Sequence, residues 1–498
     1  MSNKMLRVKR IMLILGRNKH SKTHWSQAQK KQFSKDRALE NFDDFYGQVF
    51  GNRWKSIRVA LLTEHKYMGL VNQFGDSEET VAFLEAEGAI NLRDIYNAKK
   101  SYLAENAEHM SSGNKVFKID QRVEAFAESQ RAQEVERLYK DDEAAALHKR
   151  MDNEKMSDES VVDFKKSLSR TLQENTEMDY QRLIDPNIGT SALHEFIPAT
   201  SLKGMEDYVP ESDHYKYYSN QADFPLSIEM EQSFDFPENL NVYTYEKGNV
   251  STFRPPRKCS TGVLSHFLFD GASILPALAL DVQPGDRVLD ACAAPGGKSL
   301  LLLQTLRPGT LVCNDLQESR VNRIKRLMNG YFYDFGENWK KRRCFITQAD
   351  ARHLQEYEMY DRILVDVPCT TDRHSVTEND NNIFKTSRVK ERLRKPEEQA
   401  AILANCLKLL RPGGTLVYST CSLSPVQNDG VVHMALSSVF SDTGMTVTVK
   451  ELNSVMQPFS DVYKFAHPNT LKYGQLVLPF LPANFGPMYF CKLVRNIQ

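Results

Sequence analysis

Two segments of this 498-residue chain carry the side chains best suited to covalent chemistry. In DVPCTTDRHS and in STCSLSPVQND a cysteine follows an apolar run, Cys369 behind Pro368 and Cys421 behind Thr420. Cysteine is the most nucleophilic common side chain once ionised. One reaction that needs such a group is methylation at carbon 5 of cytosine, which is a poor nucleophile by itself. Adding a thiolate to carbon 6 turns the ring into an enamine that can attack a methyl donor, and a base must then take the carbon 5 proton so that the thiolate can leave. Spacing alone does not say which cysteine would attack. Taken singly, a cysteine is also a small buried hydrophobe, and Cys292, Cys313, Cys344, Cys406 and Cys491 read that way.

A third segment, DACAAPGGKS, lies between an apolar run and an amphipathic one. Its small residues and two glycines let backbone approach a ligand closely, and the helix start offers free amide donors. A phosphate-binding P-loop fails on spacing, because the position five before Gly297 is Cys292 and not glycine. A dinucleotide fingerprint fails because no G-x-G-x-x-G occurs. What remains is a glycine turn with Asp315 at the end of the next strand, where a carboxylate can accept both ribose hydroxyls of a nucleoside. S-adenosylmethionine, with a ribose and no phosphate, suits that arrangement. A tight turn with no ligand is the other reading of the same residues.

The elements that must position these groups follow from periodicity. RVLDAC reads as a buried strand, GKSLLLLQTL as a helix, GTLVCNDL as a strand and SRVNRIKRLMNGY as a helix. RCFITQAD, YDRILVDVP, a helix ending in AAILANCLKLL, the strand GGTLVYSTC and a helix near 427–440 continue the alternation. Such alternation predicts an α/β fold with a doubly wound, Rossmann-like sheet. Ligands of such sheets sit at the carboxyl ends of the strands. Asp290, Asp315, Asp350, Asp366, Cys369 and Cys421 therefore share one edge.

Charge divides the rest of the chain. The net charge of +0 hides a first 35 residues with ten Lys or Arg and no acid, a 36–240 stretch with 23 basic and 40 acidic residues, and a 241–498 stretch with 31 basic and 24 acidic. Only the last stretch, and the first, suit contact with the phosphates of RNA or DNA. The basic, acid-free start resembles a mitochondrial targeting segment over 1–35, with a basic RNA-binding tail as the other reading. Residues 36–100 show helical spacing, as in WKSIRVALLTEHKYMGLV, and predict a small helical N-terminal region. Residues 101–240 lack a sustained apolar face and read as a charged, largely disordered insertion, leaving 241–498 as the catalytic domain. All eight cysteines lie between Cys259 and Cys491 with no CxxC pair, so neither a disulfide framework nor a metal site is expected. No run approaches the roughly twenty apolar residues of a membrane span.

Taken in order, DACAAPGGKS, NDLQESR, QADA, DVPC and VYSTCS resemble the Nol/Nop/Sun family of RNA cytosine-5 methyltransferases. The resemblance implies an S-adenosylmethionine-dependent methyltransferase domain in which Cys421 attacks carbon 6 and Cys369 helps release the product. It implies that Asp366 hydrogen-bonds the target base near the methyl donor, and that Ala294, Pro295, Gly296, Gly297 and Lys298 form the cofactor loop. Asp315 would hold the ribose, Arg320 would make a nearby cofactor contact, and Asp350 with Ala351 would line the adenine pocket. NFDDFYGQVFGNRWKSIRVALLTEHKYMGLVNQF, DVPCTTDRHSVTENDNNIFK and LPANFGPMYFCK look like the branch serving mitochondrial ribosomal RNA. That branch implies the mitochondrial matrix, small-subunit ribosomal RNA, a helical-repeat partner of the mitochondrial transcription termination factor family, and contact with the mitochondrial ribosomal small and large subunits during assembly. A transfer-RNA substrate, or an assembly factor whose binding outweighs catalysis, are the competing expectations. Arg320, Arg323, Lys325 and Arg326, the run 340–343, and the cluster from Lys385 to Lys395 could meet phosphates or form solvated faces. His374 reads as a base, an RNA contact or a structural residue.

Overall fold

The computed structural model describes residues 33–111, 224–467 and 470–497. Residues 1–32 of the expected targeting segment and 112–223 of the expected charged insertion fall outside the described residues, while 34–35 already belong to the first helix. In chain order the longer helices are α1 (Ser34–Phe50), α2 (Trp54–Leu62), α3 (Ser77–Ala86), α4 (Leu92–Ser111), α5 (Ile274–Ala279), α6 (Gly297–Gln304), α7 (Glu318–Tyr331), α8 (Asp372–Thr377), α9 (Val389–Leu409) and α10 (Val431–Thr443). The strands are β1 (Tyr67–Val71), β2 (Ile90–Asn91), β3 (Ser227–Met230), β4 (Val242–Thr244), β5 (His266–Asp270), β6 (Arg287–Asp290), β7 (Thr310–Asp315), β8 (Cys344–Gln348), β9 (Tyr360–Asp366), β10 (Leu410–Thr420), β11 (Val447–Glu451), β12 (Gln475–Val477) and β13 (Met488–Arg495).

The large sheet runs β3-β11-β13-β10-β9-β6-β7-β8, with β12 paired to β13. Strands β10, β9, β6, β7 and β8 are parallel neighbours, and β13 is antiparallel to both β10 and β11. The doubly wound α/β expectation is thus met, with helices on both faces. Adjacent residues alternate between two cores as a strand requires: Leu289, Ile363 and Leu416 face one side with Leu403 and Leu407 of α9, while Val288, Leu364 and Val417 face the other with Leu300 to Leu303 of α6. Each fully buried leucine contributes about 1.5–3 kcal/mol. Four consecutive leucines, Leu300 to Leu303, are all buried on α6 because that stretch lies inside the second core.

The amino-terminal region differs from a purely helical reading. Strands β1 and β2 join β4 and β5 in a second, antiparallel sheet of order β2-β4-β1-β5. Central in that sheet, β1 is buried along Met68–Val71, so its apolar run is continuous and shows no strand alternation. That run follows helical spacing without a break, which hid the switch at Thr63, where the backbone becomes extended. Boundaries shift too. Residues 101–111 continue α4, and within 224–240 Phe224, Phe236 and Leu240 are buried while β3 edges the large sheet. Strands β4 and β5, expected in the catalytic domain, are shared with the amino-terminal sheet. No described helix is long and apolar enough to cross a membrane.

Candidate active site

Five parallel strands end along one edge, and the side chains singled out above line it. After β6 the chain makes the turn Ala291–Gly296 into α6. Gly296 has φ +108, and a Cβ there would stand 2.9 Å from Leu327 Cδ2. Only glycine holds that backbone unstrained. The Ala294–Pro295 peptide is cis. Phe267 of β5 packs behind the turn, its Cε1 3.3 Å from where a Gly297 Cβ would lie, so the small sheet supports the glycine loop.

Lys298, at the start of α6, sends Nζ to Asp366 Oδ2 at 2.7 Å, and Ser419 Oγ donates to Asp366 Oδ1 at 2.8 Å. Burial opposes the Lys298 ammonium, but the Asp366 carboxylate outweighs it and holds the lysine above its ordinary value. Two residues past Ser419, Cys421 Sγ lies 3.0 Å from Cys369 Sγ. Lys298 of the glycine turn is thus linked to Asp366, and Ser419 ties Asp366 to the strand end that leads into Cys421. The hydrogen bond with Cys369 first, and burial second, push the Cys421 thiol well above its usual range, while the Lys298 charge pulls against them. Cys421 therefore rests as a thiol near neutral pH.

On the other flank, Arg320 Nε lies 3.0 and 3.1 Å from the two Asp315 oxygens, and its Nη2 donates to Ala294 O at 3.0 Å. Ala294 N donates to Asp315 as well, at 3.3 Å. Asp315 and Arg320 thus brace the glycine turn together. Asp350 caps the short turn at Ala351–His353 and is paired with the Arg352 guanidinium at 2.6 Å; Ala351 is buried. The positions fit a nucleoside-bearing cofactor on one observation: the buried Asp290 oxygen Oδ1 at the root of the loop, which has no hydrogen-bond partner among the described residues.

Asp290 carries a stability consequence. Burial raises its carboxyl to about 7, with the Ser299 hydroxyl, 2.6 Å away, pulling it down. An unfolded-chain carboxyl near 3.8 ionises first, so the folded state holds the extra proton from about pH 4 to about pH 7, and stability falls through that window as pH rises. Asp290→Asn should therefore melt higher than the parent at about pH 8, with the gap narrowing steadily toward about pH 4. A gap that stays constant with pH would refute the raised carboxyl.

Other expectations sort plainly. Cys292, Cys313, Cys344, Cys406 and Cys491 are all buried. His374 turns Nε2 to the Asp380 carbonyl at 3.0 Å, a structural contact. Within the cluster from Lys385 to Lys395, Arg388 pairs with Glu391 and the buried Lys395 with Glu398, so these two charges are spent internally. Arg323 and Arg326 line a cleft of about 380 Å³ beside Pro295, with Leu264, Leu327 and Tyr331. Sequence reasoning missed the wholly buried Asp372 behind both cysteine loops, and Gln399, which holds the Pro368 carbonyl at 2.9 Å. The polar run TTDRHS after Cys369 was the available signal. Among the described residues no group of three His, Cys, Asp or Glu could hold a metal ion.

Residues 277–471 match the family described as 16S rRNA methyltransferase RsmB/F. The chain is 36% identical over 460 residues to "5-cytosine rRNA methyltransferase NSUN4" of Xenopus tropicalis, covering 92% of this chain and 90% of that one. The chain belongs to this family. It is an RNA cytosine-5 methyltransferase, and its methyl donor is S-adenosylmethionine. A second relative, "5-cytosine rRNA methyltransferase nsun-4" of Caenorhabditis elegans, is 33% identical over 465 residues, 92% of this chain and 91% of that one. More distant is "tRNA (cytosine(34)-C(5))-methyltransferase, mitochondrial" of Danio rerio, 34% identical over 313 residues, 61% of this chain and 77% of that one. The RsmB/F match spans the glycine turn and both cysteines, in agreement with the family resemblance read from the motifs.

Proposed function

We propose that this methyltransferase acts on carbon 5 of a cytidine in ribosomal RNA through a covalent bond between Cys421 and carbon 6. The observation that carries the reading is the pair of thiols 3.0 Å apart, with Cys421 two residues past Ser419, whose hydroxyl holds the Asp366 carboxylate that also pairs with Lys298 beside the glycine turn. S-adenosylmethionine, when bound, supplies an electrophilic methyl group. Ala294, Pro295, Gly296, Gly297 and Lys298 would hold it, with Asp315 and Arg320 at the ribose and Asp350 with Ala351 at the adenine. Cys421, once deprotonated, adds to carbon 6; carbon 5 takes the methyl group; Cys369 helps take the carbon 5 proton, and the Cys421 thiolate leaves as the ring double bond re-forms. Asp366 hydrogen-bonds the base, with Lys298 keeping its carboxylate in place. The base must be unstacked to reach these groups.

The target is a mitochondrial small-subunit ribosomal RNA in the matrix, a reading supported by the two ribosomal-RNA relatives and by the acid-free basic start of the chain. A helical-repeat partner of the mitochondrial transcription termination factor family and a part in assembling the ribosomal subunits belong to the same reading, on the strength of the motif resemblance. The zebrafish relative favours transfer RNA as the second reading. Mapping 5-methylcytidine in RNA from cells depleted of the protein separates them. Loss at a small-subunit ribosomal position is expected; loss confined to transfer RNA would overturn the choice of substrate.

A further inference from the structure

We infer that Tyr46, on helix α1 of the amino-terminal region, is a positioning residue for the two-cysteine edge. The inference rests on the reading of Cys421 and Cys369 as the reacting groups. It makes α1 and α2 part of the catalytic apparatus and not an appended module.

The geometry converges on Asp372, three residues past Cys369 and wholly buried. Its carboxylate accepts from Thr370 Oγ1 at 2.5 Å on its own loop, and from Ser422 Oγ at 3.2 Å and Leu423 N at 2.7 Å on the loop that carries Cys421. Asp372 N also donates to the Cys421 carbonyl at 3.4 Å. One buried carboxylate thus ties the two cysteine loops together. The remaining donor comes from 326 residues away: Tyr46 Oη, 2.7 Å from Asp372 Oδ2. The next residue, Arg373, is gripped by the same region. Its Nη1 donates to Ala60 O at 2.9 Å and Thr63 O at 3.0 Å at the end of α2, and its Nε and Nη2 reach Gly486 O and Asn484 Oδ1. Two consecutive residues behind Cys369 are therefore anchored on the amino-terminal helices.

Such anchoring matters because the two thiols stand in contact, and misplacing reacting groups by about 1 Å can cost on the order of 100-fold in rate. A buried carboxylate that loses a donor must rotate toward another, and every other donor available to Asp372 sits on a cysteine loop. The ring of Tyr46 has a separate task. It packs on Phe42, Phe50 and Trp54 with centroids 4.8 to 5.9 Å away. Phenylalanine preserves that packing and deletes only the hydroxyl.

The test uses the full-length chain with a cytidine-containing RNA of the mapped target. For Tyr46→Phe, kcat should fall about 10- to 100-fold while KM for S-adenosylmethionine stays within about twofold. Asp372→Asn should lose kcat similarly or more, and the double variant should lose little more than the worse single one, because the Tyr46 hydroxyl acts only through Asp372. Wild-type kcat in Tyr46→Phe would overturn the inference, as would a KM that rises in step with the loss of kcat or fully additive losses in the double variant. Methylation surviving in Cys421→Ala would instead sink the underlying assignment, whatever Tyr46 does.

Discussion

Cys421→Ala should abolish methyl transfer, lowering kcat by on the order of 10⁴ or more, while the protein still binds S-adenosylmethionine and RNA. The size follows from the chemistry, since without addition at carbon 6 the ring has no enamine and carbon 5 does not attack. Folding should survive the change. Cys421 is only half-buried, and its loop is held through Ser422 and Leu423 rather than through the thiol. Incorporation of labelled methyl groups checks the loss, and retained cofactor binding checks the fold. The same site sets a pH dependence. Because its contact with Cys369, and then burial, hold the Cys421 thiol well above the usual range, the thiolate fraction grows as pH rises, and the parent enzyme's kcat should climb from neutral into alkaline pH. A flat profile under conditions where chemistry limits turnover would contradict a Cys421 thiolate as the attacking group.

Cys369→Ala should behave in the opposite sense, accumulating a covalent RNA adduct that survives denaturation. Two effects act together. The variant removes the largest contribution that holds the Cys421 thiol in its protonated form, so attack is eased. It also removes the group 3.0 Å away that helps take the carbon 5 proton, a contribution typically on the order of 10²–10⁴-fold to the release step. Attack made easier and release made harder leave the enzyme stranded on its product. Denaturing gel electrophoresis with labelled RNA reads the adduct directly. Full turnover with no adduct would remove Cys369 from release.

Much of this site was legible in the sequence, for physical reasons that differ by element. Strands β6, β7, β9 and β10 are buried on both faces, so their apolar runs end sharply at the acids and cysteines that face the cleft. Sharp ends made Asp290, Asp315, Asp366 and Cys421 readable as one edge. The glycine turn announced itself because its backbone excludes a Cβ at Gly296. By contrast, the amino-terminal sheet was hidden: Met68–Val71 is as continuous as the helical run before it, and its partners β4 and β5 lie more than 160 residues away. The contact from Tyr46 to Asp372 had no local signal at all. A hydrogen bond across 326 residues leaves no periodicity, and only the polar cluster after Cys369 hinted that something buried required it.

Trapping the wild-type enzyme on RNA containing 5-fluorocytidine, in the presence of S-adenosylmethionine, and locating the linked peptide by mass spectrometry tests the central claim most directly. Fluorine at carbon 5 cannot be removed as a proton, so the covalent species should persist. A nucleotide attached to Cys421, with Cys369 free, is the expected result. Attachment to Cys369, or no attachment under conditions of active methyl transfer, would contradict the assignment of Cys421 as the nucleophile.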